Sequence, residues 1–351
     1  MKYKTILIKL SYFCSMKERI NWIDWMKAWC MTVVVFDHTP HDSSPFLLQF
    51  LAGTNLASFF FISGYLKKPS VSQKESLKKY FYCLIIPYFI YNAIFYPYWI
   101  GKTFIEQGGF PSFTDCLKPI IGTLLGQLDS GFSCQLNGVT WFLISIFIMH
   151  WITDICNRQK KGKVYMLIIS GVAMFLYGLN KYTHFAPYLP FHGLVRCIPF
   201  FFLGNLLHQS SYLKETNLKK DFITGISALT LSLILFYWHI HESNIIIHIT
   251  LYFIVCFFSV IAIIHLWRCA DRIKSQIVIY ISIGTMVIFG LHRMLIGIFN
   301  YIIEKMVHVS DITYSIPEAV LLTICIELAL LPIIIYGKQY YPILLGKRSV
   351  F

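Results

Sequence analysis

The sequence predicts an all-α polytopic membrane protein with about ten transmembrane helices and both termini in the cytoplasm. Hydrophobic residues make up 56% of the chain and charged residues only 13%, whereas soluble domains carry about 25% charged residues. Apolar runs of roughly the ~20 residues that cross a ~30 Å hydrocarbon core recur along the whole chain. Residues 1–351 are therefore expected to form a single membrane domain that begins with a short basic tail over residues 1–21.

Ten segments satisfy this requirement for length and low polarity. Their approximate limits are 22–40, 46–66, 80–100, 138–156, 164–180, 191–208, 222–240, 244–266, 277–303 and 316–336. A further segment, 113–129, is interrupted by Asp115, Lys118 and Asp129. Because charges within a span are expensive, we expect an interfacial or loop helix there and not an eleventh span.

Lysine and arginine are concentrated in alternate connections between the predicted spans. The tail and the connections on its side of the membrane hold 23 of the 30 Lys and Arg residues, and the opposite connections hold four. Cytoplasmic loops of membrane proteins carry such an excess, so the tail is predicted to be cytoplasmic. The net charge of +13 is then mostly a collar facing the anionic headgroups of the cell membrane, and nucleic acid is not an expected partner.

The first predicted span contains three ionisable residues, Asp24, Lys27 and His38, in the run IDWMKAWCMTVVVFDH. Ionisable groups in a span usually face a bundle interior or a pathway for substrate or protons. Lys27 and His38 are 11 residues apart, close to three helical turns, so they should share one face about 16 Å apart along the axis. Asp24 lies one turn before Lys27 and is expected to pair with it or to orient it.

Six segments, taken in order, resemble the acyltransferase 3 family of integral membrane acyltransferases. They are IDWMKAWCMTVVVFDH, FFFISGYL, LIIPYFIYN, GVTWFLISIF, IPFFFLGNLL and SIGTMVIFGLH, and they extend over residues from about 22 to 300. The resemblance is strongest to the branch of fucose 4-O-acetylase-like or surface-polysaccharide O-acetyltransferases.

The resemblance implies transfer of an acyl group, commonly acetyl from cytoplasmic acetyl-CoA, to a hydroxyl of a glycan or a lipid-linked glycan. Acetyl-CoA or another acyl-CoA would be the donor substrate, with no permanently bound cofactor. His38 matches the essential first-span histidine of the family. Its imidazole could act as a general base toward the hydroxyl or could carry the acyl group itself, and the sequence leaves both open.

Several cations are candidates for binding the phosphates of the donor. Lys27 stands where many relatives have arginine, although it could also be an interfacial lysine. Arg196 lies inside the sixth span and needs a partner or a phosphate-like ligand. Lys78 and Lys79 could replace the basic residue that relatives carry where this chain has Cys83, or could simply anchor the loop.

Two further residues are candidates for lining the acceptor site. His292 matches a recurrent family position, and packing is its alternative role. Trp141 could be a platform for a sugar ring or a member of the interfacial aromatic belt. No Cys and His spacing indicates a metal site, and Cys116 and Cys134 could form a disulfide in one external loop.

The rival function is a transporter or flippase in which Asp24, Lys27, His38 and Arg196 form an intramembrane relay. Inverted repeats and paired broken helices would favour it, and the sequence shows neither.

Overall fold

The computed structural model describes residues 19–69, 72–184, 188–210, 212–213, 215–309 and 311–347. Most of the basic tail, residues 1–18, lies outside the described residues. The described ranges form twelve α-helices with isolated β-bridges only, which confirms the all-α fold class. The helices are α1 (Asn21–Asp37), α2 (Phe46–Tyr65), α3 (Gln73–Gln107), α4 (Phe113–Leu124), α5 (Trp141–Asn157), α6 (Gly162–Thr183), α7 (Leu189–His208), α8 (Leu218–His241), α9 (Ile245–Cys269), α10 (Gln276–Ile283), α11 (Thr285–Val307) and α12 (Ile316–Tyr340).

Nine helical segments of the described chain are long and apolar enough to cross a membrane, and they coincide with nine of the ten predicted spans. The first predicted span corresponds to α1, which has 17 residues and ends at Asp37. The predicted span 277–303 is divided between α10 and α11. α4 is not among the nine candidates, in agreement with the interfacial or loop helix predicted for 113–129.

The start of α1 is tied to the connection between α9 and α10. The Asn21 side-chain amide donates to the carbonyl oxygens of Asp271 and Ile273 at 2.7 and 2.8 Å. The Trp25 indole nitrogen donates to the same Ile273 carbonyl at 2.8 Å. The first residues of α1 and this basic connection therefore lie on one side of the bundle, as the charge distribution predicts.

α2 and α7 are in direct backbone contact at two glycines. A Cβ at Gly64 would overlap the carbonyl oxygen of Phe201, and a Cβ at Gly204 would overlap that of Phe61. Small residues let membrane helices approach closely, so these two positions set the distance between α2 and α7.

α1 lies between two clusters of buried apolar side chains. Met31 and Val35 belong to the cluster shared with α3, α5, α7, α11 and α12. Trp22, Met26 and Cys30 belong to the cluster shared with α2, α7 and α9. Protein therefore covers two sides of α1, and Asp24 near the start of this helix is buried as well.

α3 contains a π-helical turn over Phe81–Ile85. Pro87 is four residues after Cys83 and has no N–H to donate to the Cys83 carbonyl, so the regular α-helical bonding is interrupted there. Single π turns inside α-helices are frequent at functional sites.

Candidate active site

His38 is the residue at which α1 ends, one residue beyond its last helical position. The helix cannot continue because Thr39 precedes Pro40, and a residue before proline avoids the helical conformation. The imidazole Nδ1 lies 2.8 Å from the carbonyl oxygen of Val34. A carbonyl only accepts, so Nδ1 must carry the hydrogen, and Nε2 is left with a free lone pair.

His292 of α11 faces His38. The two ring centroids are 5.0 Å apart with an interplanar angle of 75°. His292 is fully buried, and its Nδ1 lies 2.9 Å from the carbonyl oxygen of Ile288. Its Nε2 has no hydrogen-bond partner among the described residues. The pair therefore presents two imidazole Nε2 acceptors, one on each ring.

Three cavities lie along the path from Lys27 to the residues beyond His38. The inner cavity, of about 350 Å³, contains two cations and is lined by Lys27, Phe59, Ser63, Leu66, Lys79, Tyr80, Cys83, Leu84, Phe142, Leu143, Ile146, His150, Thr285, Met286, Phe289 and Gly346. Its walls are otherwise mostly apolar, so it suits a ligand with an anionic end and an apolar body.

The middle cavity, of about 230 Å³, borders His38. It is lined by Val33, Val34, Asp37, His38, Ala52, Asn55, Leu56, Val139, Trp141, Phe142, Arg196 and Phe289. Phe142 and Phe289 line both this cavity and the inner one, and their ring centroids are 4.9 Å apart. These two rings form the partition between the inner and middle cavities.

The outer cavity, of about 400 Å³, also borders His38. It is lined by His38, Phe95, Tyr98, Trp99, Lys102, Gln135, Leu136, Gly138, Arg293, Ile296 and Gly297. His38 is shared between the middle and outer cavities. A reacting group beside its Nε2 can therefore be approached from two directions.

The cavity linings agree with helices that alternate in direction across the bundle. The inner cavity collects residues from the first half of α1, the starts of α3 and α11 and the end of α2, and the part of α5 that reaches it runs from Phe142 to His150. The outer cavity collects the end of α1, the second half of α3 and the residues before α5. The inner cavity thus lies toward the side that the positive-inside rule predicts to be cytoplasmic.

Asp24 and Lys27 do not form the direct ion pair that their spacing predicts. Asp24 accepts two hydrogen bonds from Arg19, at 2.6 and 2.9 Å, and one from the Ser282 hydroxyl at 2.5 Å. Lys27 has no hydrogen-bond or ion-pair partner among the described residues and lines the inner cavity. Lys27 and His38 lie on opposite sides of the Phe142–Phe289 partition.

Arg196 lies on the middle cavity, away from Lys79 and the inner cavity. Its guanidinium donates to the Tyr252 hydroxyl, and Nη2 donates to the Gly53 carbonyl at 2.9 Å. Both partners are neutral, so the charge of Arg196 has no compensating carboxylate in these bonds.

Trp141 lies within the bundle. It contacts Phe60, at 6.5 Å between ring centroids, and fills the space that a Cβ at Gly193 would need. This position and its place on the middle cavity do not support the aromatic-belt alternative. Lys78 and Lys79 are both exposed, and Lys79 also lines the inner cavity, with its Nζ 5.1 Å from the Tyr80 ring centroid.

A buried polar cluster beside the inner cavity was not predicted from the sequence. Lys67 is 1% exposed and donates to Asp154 at 2.7 Å, and the Ser76 hydroxyl donates to the other oxygen of that carboxylate. Tyr80 stacks on His150 with ring centroids 3.7 Å apart. The sequence indicates only that Lys67 belongs to a cytoplasmic loop, because its carboxylate partner is 87 residues away in the chain.

Two buried asparagines near His38 also escaped prediction. Asn55 donates to the Cys30 carbonyl at 2.9 Å, and Asn137 donates to the Gly290 carbonyl at 2.9 Å. Their side-chain oxygens have no hydrogen-bond partner in the described part of the chain. With His292 Nε2, they make three unpaired buried acceptors in this region.

A family model described as an acyltransferase domain matches residues 20–336. The chain belongs to the acyltransferase 3 family. This match covers most of the chain and confirms the predicted family, and it supports an integral membrane acyltransferase. No curated protein and no solved structure matches the chain. The assignment to the fucose 4-O-acetylase-like branch stays a prediction.

Cys116 and Cys134 are both unpaired thiols in this acyltransferase. Among the described residues, no group of three or more His, Cys, Asp or Glu side chains could hold a metal ion.

Proposed function

We propose that this acyltransferase moves an acetyl group from cytoplasmic acetyl-CoA to a hydroxyl of a surface or exported glycan, within the cell membrane. One observation carries the proposal. His38, with Nε2 free, borders two cavities, and one of them meets the cationic inner cavity at the Phe142–Phe289 partition.

The donor would enter from the inner side. Among the described residues, Lys27 has no hydrogen-bond or ion-pair partner and Lys79 lies over the Tyr80 ring, so both ammonium groups are available to CoA phosphates. The apolar walls suit the pantetheine arm. The acetyl thioester would then pass between Phe142 and Phe289 into the middle cavity.

At His38, we propose general base catalysis. Nε2 takes the proton from the sugar hydroxyl while the hydroxyl oxygen attacks the thioester carbonyl carbon. The carbon–sulfur bond then breaks, and the CoA thiolate takes up the proton held by the imidazole. Val34 fixes the tautomer in which Nδ1 carries hydrogen, so the proton-accepting nitrogen is the one on the cavity side.

Arg196 is proposed to stabilise the oxyanion that develops on the thioester carbonyl. Its guanidinium lies on the small cavity that His38 also borders, and its present partners are neutral. Donors held in place around a water-poor cavity are worth far more to a developing oxyanion than donors in water.

The acceptor is proposed to be rich in hydroxyls. Among the described residues, Asn55 Oδ1 is a buried acceptor without a partner, and Asn55 lines the middle cavity that His38 also borders. An unpaired buried acceptor costs free energy unless a donor meets it. A sugar hydroxyl supplies such a donor, whereas an apolar acceptor would leave this oxygen unpaired.

The test is transfer from radiolabelled acetyl-CoA in proteoliposomes, with glycans isolated from the same cells as acceptors. His38→Ala should abolish glycan acetylation while the protein remains folded in the membrane. His241→Ala is a matched control, because His241 makes the same kind of bond from Nδ1 to a carbonyl four residues earlier, at 2.7 Å, and is exposed.

Full activity of His38→Ala would remove His38 from the mechanism and reopen the transporter alternative. A hydroxylamine-sensitive acetyl group on His38 in the absence of acceptor would replace general base catalysis by an acyl-histidine route.

A further inference from the structure

The outer cavity is positively charged next to His38. Arg293 and Lys102 both line it, and no acidic residue does. Arg293 has no hydrogen-bond or ion-pair partner in the described chain. Lys102 lies 3.5 Å from Glu106, but both side chains are more than half exposed, so that pair is weak.

The guanidinium of Arg293 reaches across the cavity. Its Nη1 would be 3.5 Å from a Cβ placed on Gly138, in the loop before α5. The absence of a side chain at Gly138 therefore leaves room between Arg293 and this loop. The guanidinium therefore lies beside the part of the outer cavity that Gly138 lines.

Three other cations of the described chain have carboxylate partners, which Arg293 lacks among the described residues. Arg19 pairs with Asp24, Lys67 with Asp154 and Arg268 with Asp221, each within 2.9 Å. In each of these pairs the carboxylate balances the charge of the cation. Arg293 is exposed and lines the outer cavity beside His38, so its guanidinium is accessible to a ligand there, and its planar shape suits two-pronged binding of a carboxylate or a phosphate.

We propose that the acceptor is anionic, and that an oxyanion on it binds to Arg293 and Lys102 while an adjacent hydroxyl faces Nε2 of His38. This inference rests on the proposed function. Trp99, Tyr98 and Phe95 line the same cavity and supply flat apolar surfaces for the C–H faces of a sugar ring. The volume of about 400 Å³ lies within the range of small-molecule sites.

The oxyanion could be the carboxylate of an acidic sugar or the phosphate that joins a glycan to its lipid carrier. The test uses two matched pairs of acceptors in proteoliposomes. One pair is an alkyl glucuronide with the corresponding alkyl glucoside, and the other is a polyprenyl phosphate glycoside with a neutral polyprenyl glycoside.

The wild-type protein should prefer the charged member of one pair, by a ratio of kcat/KM on the order of tenfold. The pair that shows the preference identifies the source of the oxyanion. Arg293→Gln should raise the acceptor KM for that charged member and bring the ratio toward one, and Arg293→Lys should restore part of it. Lys305→Gln, a change of charge on the same helix away from the cavity, should leave the ratio unchanged.

Equal use of charged and neutral acceptors by the wild-type protein would overturn the inference and leave the proposed function intact. An Arg293→Gln variant that keeps the wild-type ratio would also overturn it. If neither pair accepts acetyl and acetyl-CoA is not hydrolysed, the proposed function fails first.

Discussion

Two kinds of cationic side chain lie inside the bundle, and they differ in whether a carboxylate pairs with them. Lys67 and Arg268 have buried carboxylates within 2.9 Å, as a structural cation requires. Lys27 lacks any described partner, and Arg196 has only neutral ones. The second kind lines the cavities on either side of Phe142 and Phe289, where a ligand can complete the bonding.

Lys27→Gln and Arg196→Gln should affect different steps of the proposed reaction. Lys27→Gln should raise the KM for acetyl-CoA on the order of tenfold, because a contact to the donor phosphates is lost. Arg196→Gln should lower kcat by about 10²-fold or more, because oxyanion stabilisation is lost.

Steady-state kinetics with donor and acceptor varied separately measures both effects. Lys27→Arg should retain most activity, since phosphate accepts either cation. A rise in donor KM for Arg196→Gln, with kcat unchanged, would return Arg196 to the role in donor binding that the sequence predicts.

Glu327 is a buried carboxyl near the middle of α12 with no cationic partner among the described residues. The Thr32 hydroxyl lies 2.8 Å from Glu327 Oε1 and 3.1 Å from the Ala28 carbonyl oxygen. One hydroxyl hydrogen cannot serve both acceptors, and a protonated Glu327 that donates to Thr32 satisfies all three groups. A neutral carboxyl is also far cheaper than a carboxylate within a span.

Glu327→Gln should therefore change the stability by no more than about 1 kcal/mol, because one neutral hydrogen-bonding group replaces another. Thermal unfolding in detergent measures the change. Asp154→Asn is the matched control. It should cost about 3–5 kcal/mol, because it leaves Lys67 buried without its carboxylate. Equal losses in the two variants would show that Glu327 is ionised.

At the scale of helices, α1 and α3 show what local sequence can and cannot predict. The apolar length predicts both spans, but the prediction extends α1 to residue 40, whereas it ends at Asp37 because Thr39 precedes Pro40. The π turn in α3 follows from Pro87 and places Cys83 and Tyr80 on the inner cavity. The proline signal is present in the sequence, but its effect on cavity lining depends on the neighbouring helices.

The contact between α2 and α7 gives a prediction at this scale. Gly64→Ala or Gly204→Ala should destabilise the protein by about 1–3 kcal/mol, because the added methyl group meets a backbone carbonyl that cannot move aside. Gly171→Ala is the control, since a Cβ there meets no atom within 4 Å. That change should be neutral or stabilising by up to about 1 kcal/mol, as alanine favours helix.

Thermal unfolding of the three variants in one detergent measures the difference. Similar melting temperatures for Gly64→Ala and Gly171→Ala would show that α2 and α7 can move apart without loss of stability.

At the scale of the whole molecule, the sequence predicts the architecture well and the pairing of charges poorly. Hydropathy and the distribution of Lys and Arg are local properties, so the spans and the sides of the loops follow from them. The Asp24 carboxylate does not form the pair with Lys27 that the spacing predicts, but accepts a hydrogen bond from Ser282, which is 258 residues away. Spacing along one helix cannot reveal such partners, and the three cavities around His38 exist only once α3, α5 and α11 are assembled.

The topology predicts that residue 110 and the C-terminus lie on opposite sides of the membrane. Fusions of a reporter that is active only in the cytoplasm, placed at residue 110 and after residue 351, should be inactive and active, respectively. Equal activity of the two fusions would mean that an even number of spans separates them, whereas the stated order of helices places an odd number there.

The partition between the inner and middle cavities has a consequence for the cell as well as for catalysis. A membrane that stores energy as a proton gradient loses it through any continuous column of water. The rings of Phe142 and Phe289, 4.9 Å apart, separate two cavities that would otherwise join the two aqueous sides. In the proposed reaction, an acetyl group that passes between these rings would reach the middle cavity without opening a continuous path for water across the membrane.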